Sequence, residues 1–235
     1  MINFSKLLKC FFAVLYLLFM VNAYADNMQL LNGEDRAVFD VQVYEELKAQ
    51  NGDRSDVGFQ RADGVYIDYG ENEYEYLEIL NKKQVYMVVR HYYKPSGHLK
   101  DENTSFQGIS IGSSRYYDEG GNLVREVVHT SDDWLDNLLL LARGRFDVDL
   151  WDRRSGQIYM GQYQGELIIQ LFHLNGAELK LRGGNPHLKF AFLRYSDLEV
   201  LVIGDRNFIP FPNDGWGTGL GRAEYIVNGQ EIFLD

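Results

Sequence analysis

The stretch RYYDEGGNLVRE, Arg115 to Glu126, has the pattern of a β-hairpin. A charged and aromatic run leads into Asp-Glu-Gly-Gly-Asn, a turn composition in which glycine adopts the positive φ that other residues avoid. The chain returns through Leu123 and Val124, the first apolar residues after the turn. The stretch therefore predicts two antiparallel strands joined by a tight turn.

Short aromatic and apolar runs separated by turn residues continue on both sides of this hairpin. Asn-Gly, the strongest short hairpin signal, occurs at 175–176 and again at 228–229 near the C-terminus. We expect a mainly β (α+β) protein made of antiparallel meanders and hairpin-rich sheets. The predicted strands cover residues 64–69, 73–80, 84–93, 113–117, 123–129, 145–152, 158–163, 166–173, 177–182, 188–195 and 198–204.

Two helices are expected among these strands. The segment TSDDWLDNLLLLARGR predicts one helix over about 131–143, with Ser131 as its N-terminal cap, Asp132 and Asp133 in its first turn, and Gly144 just after its end. Its apolar stripe is expected to pack on a sheet. A second helix is expected over about 35–50 from the roughly helical spacing of apolar residues, although Phe39 and Val43 also fit an alternating strand.

The N-terminal residues have the pattern of a secretory signal peptide. Lys6 and Lys9 precede an apolar run too short to span a bilayer, and Ala23-Tyr24-Ala25 is a small-x-small cleavage site. We expect cleavage of residues 1–25, and the removed segment would carry Cys10, the only cysteine. Export without disulfides favours a Gram-negative periplasm. The rest is expected to divide into 26–130 and 131–235, joined as one continuous domain without membrane insertion.

The chain is strongly acidic, with 23 Lys and Arg against 34 Asp and Glu and a net charge of −11. Loss of Lys6 and Lys9 takes the net charge of the mature chain to −13, that is −11 minus two. Such a surface repels nucleic acid and attracts a basic protein partner. Solubility alone also explains an acidic surface.

The opening hairpin has a counterpart 24 residues upstream. The upstream segment has Tyr92-Tyr93, Gly97 and Leu99 at the positions equivalent to Tyr116-Tyr117, Gly121 and Leu123. Over about residues 84–127 the chain resembles the MORN-type repeat variant of bacterial antitoxin-like repeat proteins, although Pro95-Ser96-Gly97 replaces the usual Asn-Gly turn. The resemblance implies a binding scaffold, in a repeat class with members that protect a cell from a toxin. It implies no catalytic residue.

Several patterns that carry chemistry elsewhere lack their usual context here. GISIG at 108–112 matches a nucleophile elbow with Ser110 as nucleophile. Asp147 and His173 follow it in the serine, acid, histidine order of the α/β-hydrolases. The residues after Ser110 predict a strand where an elbow needs a helix. We therefore predict no catalytic residue and no enzyme, and an envelope hydrolase remains the alternative.

No metal or other cofactor is predicted. The five histidines are scattered, and the spacing of Asp147, Asp149 and Asp152 lacks the glycine and the trailing glutamate of a calcium loop. A glycosidase pair could lie in the acidic run Glu71, Glu73, Glu75 and Glu78, but the run is better explained as a charged outer face alternating with buried aromatic side chains.

The long loop NFIPFPNDGWGTGLG at 207–221 is a candidate for function, because a Trp among glycines is a natural interface anchor. The function expected is that of a periplasmic immunity protein that neutralises a secreted toxin. A carbohydrate-binding envelope protein or a structural periplasmic β-domain would also fit the export signal and the β-rich pattern. The expected partner-binding residues are Trp216, Gly217, Gly219, Tyr92, Tyr93, Tyr116, Tyr117, Glu71 and Glu73.

Overall fold

Two antiparallel meanders account for the sheets in the computed structural model, which describes residues 37–174, 188–210 and 221–234. The chain divides into two compact units, residues 1–38 and 39–235, and both sheets belong to the second. The predicted signal peptide lies outside the described residues. Within those residues, no helix is both long and apolar enough to cross a membrane. The mainly β class predicted from the sequence is confirmed.

Each sheet follows chain order, so every strand pairs with its sequence neighbour. The helices are α1 (Val41–Gln50), before the first sheet, and α2 (Trp134–Phe146), between the sheets. The first sheet consists of β1 (Val57–Gln60), β2 (Val65–Glu71), β3 (Glu75–Lys82), β4 (Tyr86–Tyr93), β5 (Leu99–Phe106), β6 (Ile109–Tyr117) and β7 (Leu123–Val128). The second consists of β8 (Gly156–Tyr163), β9 (Glu166–His173), β10 (Leu188–Arg194), β11 (Val200–Pro210), β12 (Gly221–Val227) and β13 (Gln230–Ile232).

The hairpin at Arg115–Glu126 is present as β6 and β7. Arg115 lies opposite Glu126, and a bulge follows Tyr116, after which Tyr117 lies opposite Leu123. The Asp118 carboxylate accepts hydrogen bonds from two backbone amides of the turn, and Gly121 has a φ of +81°. Local turn chemistry therefore fixes this hairpin, as predicted.

The turns of the two hairpins keep the 24-residue spacing, but the pairing of the strands on either side of each turn differs by one residue. Gly97 and Gly121 both have positive φ. Tyr92 lies opposite Leu99, whereas the residue opposite Leu123 is Tyr117. Because one residue of slip exchanges the two faces of a strand, Tyr92 and Tyr116 lie on opposite faces of the sheet.

Helix α1 is shorter than the segment predicted over 35–50. It begins after Asp40, whose carboxylate accepts a hydrogen bond from the Val43 amide at 3.0 Å. Phe39 lies just before it and stacks on Tyr76 with 4.5 Å between ring centroids. The Tyr44 side chain is fully buried and joins the same aromatic cluster. This cluster packs α1 against the first sheet.

Helix α2 differs from the prediction at both ends. Its N-cap is Asp133, and the Ser131 hydroxyl donates a hydrogen bond to Asp133 instead of capping the helix. The helix continues through Gly144 to Phe146 and ends at Asp147, which has a left-handed conformation with a φ of 55°. The strand predicted at 145–152 is therefore wrong. The predicted packing of α2 is confirmed, because Trp134, Leu135, Leu138, Leu139 and Ala142 are buried.

The sequence did not predict two of the observed strands, β1 and β5. Strand β5 has the sequence LKDENTSF, whose central residues are all polar. The strand predicted at 177–182 lies outside the described residues. The C-terminal Asn-Gly hairpin is confirmed, because Asn228 and Gly229 have φ values of 51° and 79° between paired Val227 and Gln230.

Side chains join the two sheets. The Gln107 amide, in the β5–β6 turn, donates to the Leu150 carbonyl at 2.8 Å and accepts from the Ile158 amide at 3.1 Å. The Trp134 indole in α2 donates to the Tyr195 carbonyl at 2.8 Å. Among the described residues no strand of one sheet pairs with a strand of the other, so these side-chain hydrogen bonds connect the two parts.

The second sheet curls strongly around an aromatic core. Tyr225 on β12 and Phe172 on β9 are three strand spacings apart, about 14 Å in a flat sheet. Their ring centroids are only 6.4 Å apart. Gly204 on β11 permits this curvature, because a Cβ there would lie 2.9 Å from the Phe190 ring and 2.3 Å from the Ile226 carbonyl oxygen.

Candidate functional site

The loop predicted over 207–221 is wrong at both ends, because residues 207–210 belong to β11 and pair with the start of β12 at Gly221. Trp216, Gly217 and Gly219 lie outside the described residues. Their role stays a prediction from the sequence. The other six predicted partner-binding residues belong to the first sheet, where the structure separates buried side chains from exposed ones.

Tyr92 is a core residue. Its side chain is fully buried, and its hydroxyl donates a hydrogen bond to Glu78 at 2.9 Å. Burial leaves no side-chain surface of Tyr92 for a partner. The aromatic pair of the sequence motif therefore divides between the two faces, and one half of it stabilises the interior.

The remaining tyrosines lie closer to the surface. The Tyr93 hydroxyl donates to the Tyr117 carbonyl at 3.0 Å and so ties the β4–β5 hairpin to the β6–β7 hairpin. Tyr116 is 37% exposed, and the Arg125 guanidinium lies 5.4 Å from its ring centroid. Tyr116 is thus the most exposed of the four predicted tyrosines.

The acidic run at 71–78 is not the uniform outer face that the sequence suggested. Glu71 forms ion pairs with Lys48 and Lys94, both at 2.7 Å, and these lysines lower its pKa to about 2. Glu78 is 1% exposed, whereas Tyr74 is 73% exposed. The expected alternation of outward acids and inward aromatic residues is therefore wrong at these positions, and Glu73 is the exposed acid of the run.

A row of alternating charges crosses five strands of the first sheet. Arg90 lies between Glu78 at 3.3 Å and Glu102 at 2.6 Å. Arg115 continues the row, at 4.0 Å from Glu102 and 3.1 Å from Glu126. The row is buried at Glu78 and Arg90 and half-exposed at Arg115 and Glu126. It explains why the polar β5 sequence forms a central strand.

The tips of three hairpins form one surface at the same edge of this sheet. The Lys94 amide donates to the Tyr74 carbonyl at 3.2 Å, and His98 Nδ1 lies 2.8 Å from the Glu119 carbonyl oxygen. We call this the hairpin-tip surface and define it by its exposed residues, Glu73, Tyr74, Pro95, Ser96, Glu119, Gly120, Gly121 and Asn122.

Tyr74 is the most exposed aromatic residue of the hairpin-tip surface, and its backbone is held in place. The Asn72 side chain accepts hydrogen bonds from the amides of Tyr74 at 2.8 Å and Glu75 at 3.0 Å. A large side chain on a turn of fixed shape loses little conformational freedom when it binds. Sequence reasoning missed Tyr74 because the alternation pattern assigned it to the interior.

The residues considered for a hydrolase site do not lie where a nucleophile elbow would place them. Ser110 lies within strand β6, which runs on to Tyr117, and Asp147 is the C-cap of α2. A different serine contact exists, in which the Ser114 hydroxyl lies 2.8 Å from His129 Nε2 and 3.0 Å from Asn103 Oδ1. Ser114 is 4% exposed, so this contact joins β5, β6 and the residue after β7 inside the protein.

Two of the three acids considered for metal binding form ion pairs within the protein. Asp149 pairs with Arg143 at 3.4 Å, and Asp152 pairs with Arg154 at 3.1 Å. Among the described residues, no group of three or more His, Cys, Asp or Glu side chains could hold a metal ion.

A pocket of about 300 Å³ lies on the curled face of the second sheet. Phe172, Leu174 and Leu188 form its apolar walls, and Tyr159 stands 51% exposed beside them. Arg206 is its charged residue, with the guanidinium 4.9 Å from the Phe172 ring centroid and 5.6 Å from that of Tyr225. The remaining lining residues are Gln157 and Gln170.

Two hydrogen bonds hold the polar lining of this pocket. The Tyr225 hydroxyl donates to Gln170 Oε1 at 3.0 Å, and burial raises the pKa of Tyr225. The Tyr159 hydroxyl donates to Gln157 Oε1 at 2.5 Å. No sequence pattern signals this pocket, because its residues come from five strands that only the curled sheet brings together.

The chain matches no protein-family model, no curated protein and no solved structure.

Proposed function

We propose that the protein is an exported immunity protein that binds and neutralises a secreted antibacterial effector, such as one that degrades cell wall or lipid. The observation that carries the proposal is the hairpin-tip surface, where Tyr74 is 73% exposed on a turn held by Asn72. Exposed aromatic residues of this kind are the usual anchors of protein interfaces.

Charge supports a basic partner. Glu73, next to Tyr74 in the chain, and Glu119, on the β6–β7 tip, are exposed on the hairpin-tip surface. The mature chain is expected to carry a net charge of −13, from −11 with two lysines removed. Acids at the rim of an interface mainly accelerate association, and salt weakens their effect. Tyr74 therefore supplies the anchor in this proposal and the acids supply the steering. The Trp216 loop is a second predicted contact.

The proposal predicts that a neighbouring gene encodes a secreted effector, and that effector is the partner used in the test. That protein is produced in the periplasm of a sensitive strain with and without the present chain, and cell survival is measured. We expect survival only in the presence of the chain, and a one-to-one complex of the purified proteins. Survival without the chain, or no complex between the purified proteins, would contradict the proposal.

Kinetic measurements then separate the two roles. We expect Glu73→Gln to slow association at low salt and to have little effect at high salt. Asp132→Asn, just before α2, is the matched control because it also removes an exposed acid, and among the described residues Asp132 forms no ion pair. Equal effects of the two substitutions would show that total charge, and not the hairpin-tip surface, steers the partner.

A further inference from the structure

The pocket of the second sheet contains one charged residue, Arg206. Among the described residues, no carboxylate forms an ion pair with Arg206, and its Nε is buried without a hydrogen-bond acceptor. Leaving a buried donor unsatisfied destabilises the folded state, so native proteins rarely keep one without a reason. The rings of Phe172 and Tyr225 stabilise the guanidinium charge, and a hydrogen bond between Arg206 and the Tyr225 side chain acts to lower the pKa of Tyr225, but Nε itself has no acceptor among the described residues.

The other polar groups of the pocket also have donors to spare. The acceptor oxygens of Gln157 and Gln170 already receive the hydroxyls of Tyr159 and Tyr225. Their amide NH₂ groups and the guanidinium are donors only. The lining therefore offers hydrogen-bond donors and positive charge within apolar walls.

We propose that this pocket binds a small organic carboxylate with an aromatic or aliphatic body. The carboxylate pairs with the Arg206 guanidinium, for which it is the matching planar acceptor. The body packs against Phe172 and Leu188, two of the apolar lining residues. The volume of about 300 Å³ is at the small end of ligand sites, so one ring or a short chain fills it.

The probes that test this proposal are hydrocinnamate and hydrocinnamide, which have the same phenyl body and differ in charge. Binding to the full mature chain is followed by titration calorimetry and by ligand-observed NMR. We expect hydrocinnamate to bind at least about tenfold more tightly than the amide, a difference of about 1.4 kcal/mol. No binding of hydrocinnamate, or equal affinity for the two probes, would overturn the proposal.

Two substitutions locate the binding. Arg206→Gln should weaken hydrocinnamate about tenfold or more and leave the weak binding of hydrocinnamide unchanged. Arg154→Gln is the control, because this arginine is 86% exposed and does not line the pocket. Unchanged hydrocinnamate affinity in a folded Arg206→Gln protein would overturn the assignment. If Arg206→Gln fails to fold, the comparison of the two probes on the wild-type chain still tests whether binding requires the carboxylate.

The same carboxylate chemistry occurs in a free metabolite and at the C-terminus of a peptide. A short peptide ending in phenylalanine, with a free or an amidated C-terminus, distinguishes the two sources. Because the lining encloses only a small volume, we expect the free acid to bind more tightly than either peptide. Tighter binding of the free-carboxylate peptide would overturn the assignment to a small molecule and give the pocket to a chain end.

Discussion

The two sheets share a meander topology but have different interiors. On its buried face the first sheet carries Glu78 and Arg90, and its apolar residues surround this charged row. The second sheet closes around Phe190, Phe192 and Tyr225. The stability of a charged interior depends on the presence of each charged partner and on pH, whereas the stability of an aromatic interior depends on how completely its volume is filled. The two sheets should therefore respond differently to the same kind of perturbation.

The largest effect is expected in the second sheet. Phe192 is fully buried against Phe190, Tyr163 and Tyr225. Phe192→Ala should lower the free energy of unfolding by about 3–5 kcal/mol, because it removes buried surface and leaves a cavity. Urea unfolding measures this. Ile203→Ala is the control, since Ile203 is 48% exposed on the same sheet. Similar losses at both positions would contradict an aromatic core at Phe192.

The next effect is expected at the buried end of the charged row. Arg90→Met removes the guanidinium that neutralises Glu78 and should cost about 3 kcal/mol. Adding Glu78→Gln should recover part of that loss, which a double-mutant cycle measures. Arg115→Met, at the half-exposed end of the same row, should cost about 1 kcal/mol or less. Equal costs at Arg90 and Arg115 would refute the importance of burial.

Acid should weaken the first sheet through Glu71. Lys48 and Lys94 lower the pKa of Glu71 from 4.5 to about 2. A depressed pKa in the folded state gives stability that is present above the unfolded value and is lost as pH falls from about 4.5 toward 2. At neutral pH we expect Glu71→Gln to cost about 1 kcal/mol or less. Unfolding free energies at several pH values should show this difference shrinking in acid; a constant difference would contradict it.

The smallest effect has the opposite sign with pH. The hydrogen bond from His91 to Asp101, at 2.7 Å, raises the pKa of His91 above its usual 6.5. The stability that this pair contributes is present below pH 6.5 and is lost as pH rises through the folded value. His91→Gln should therefore be less stable than wild type at mildly acidic pH and nearly equal at alkaline pH. An unchanged difference across this range would show that protonation of His91 plays no part.

Local chemistry made the turns predictable. Asn228-Gly229 and the glycines at 97 and 121 adopt positive φ, which their residue types favour. Strand β5 was not predictable, because the partners of Glu102 and Asn103 lie on neighbouring strands. The end of α2 was also missed, because Asp147 and not Gly144 takes the left-handed position.

The candidate sites were less predictable than the fold. The sequence motif grouped Tyr92 with Tyr116, and a one-residue slip placed them on opposite faces. The Arg206 pocket depends on a curvature that Gly204 permits, and a single glycine in a strand does not reveal which side chains then meet. Sites assembled from several strands need the register before their residues can be recognised.

The most direct test of the proposed function compares one exposed tyrosine on each sheet. Tyr74→Ala and Tyr159→Ala remove aromatic side chains that are 73% and 51% exposed, and the binding of each variant to the neighbouring gene's secreted protein is measured alongside its melting temperature. We predict that Tyr74→Ala weakens binding about tenfold or more through faster dissociation, while Tyr159→Ala binds like wild type and both remain folded. Wild-type binding by folded Tyr74→Ala would contradict the hairpin-tip surface as the interface.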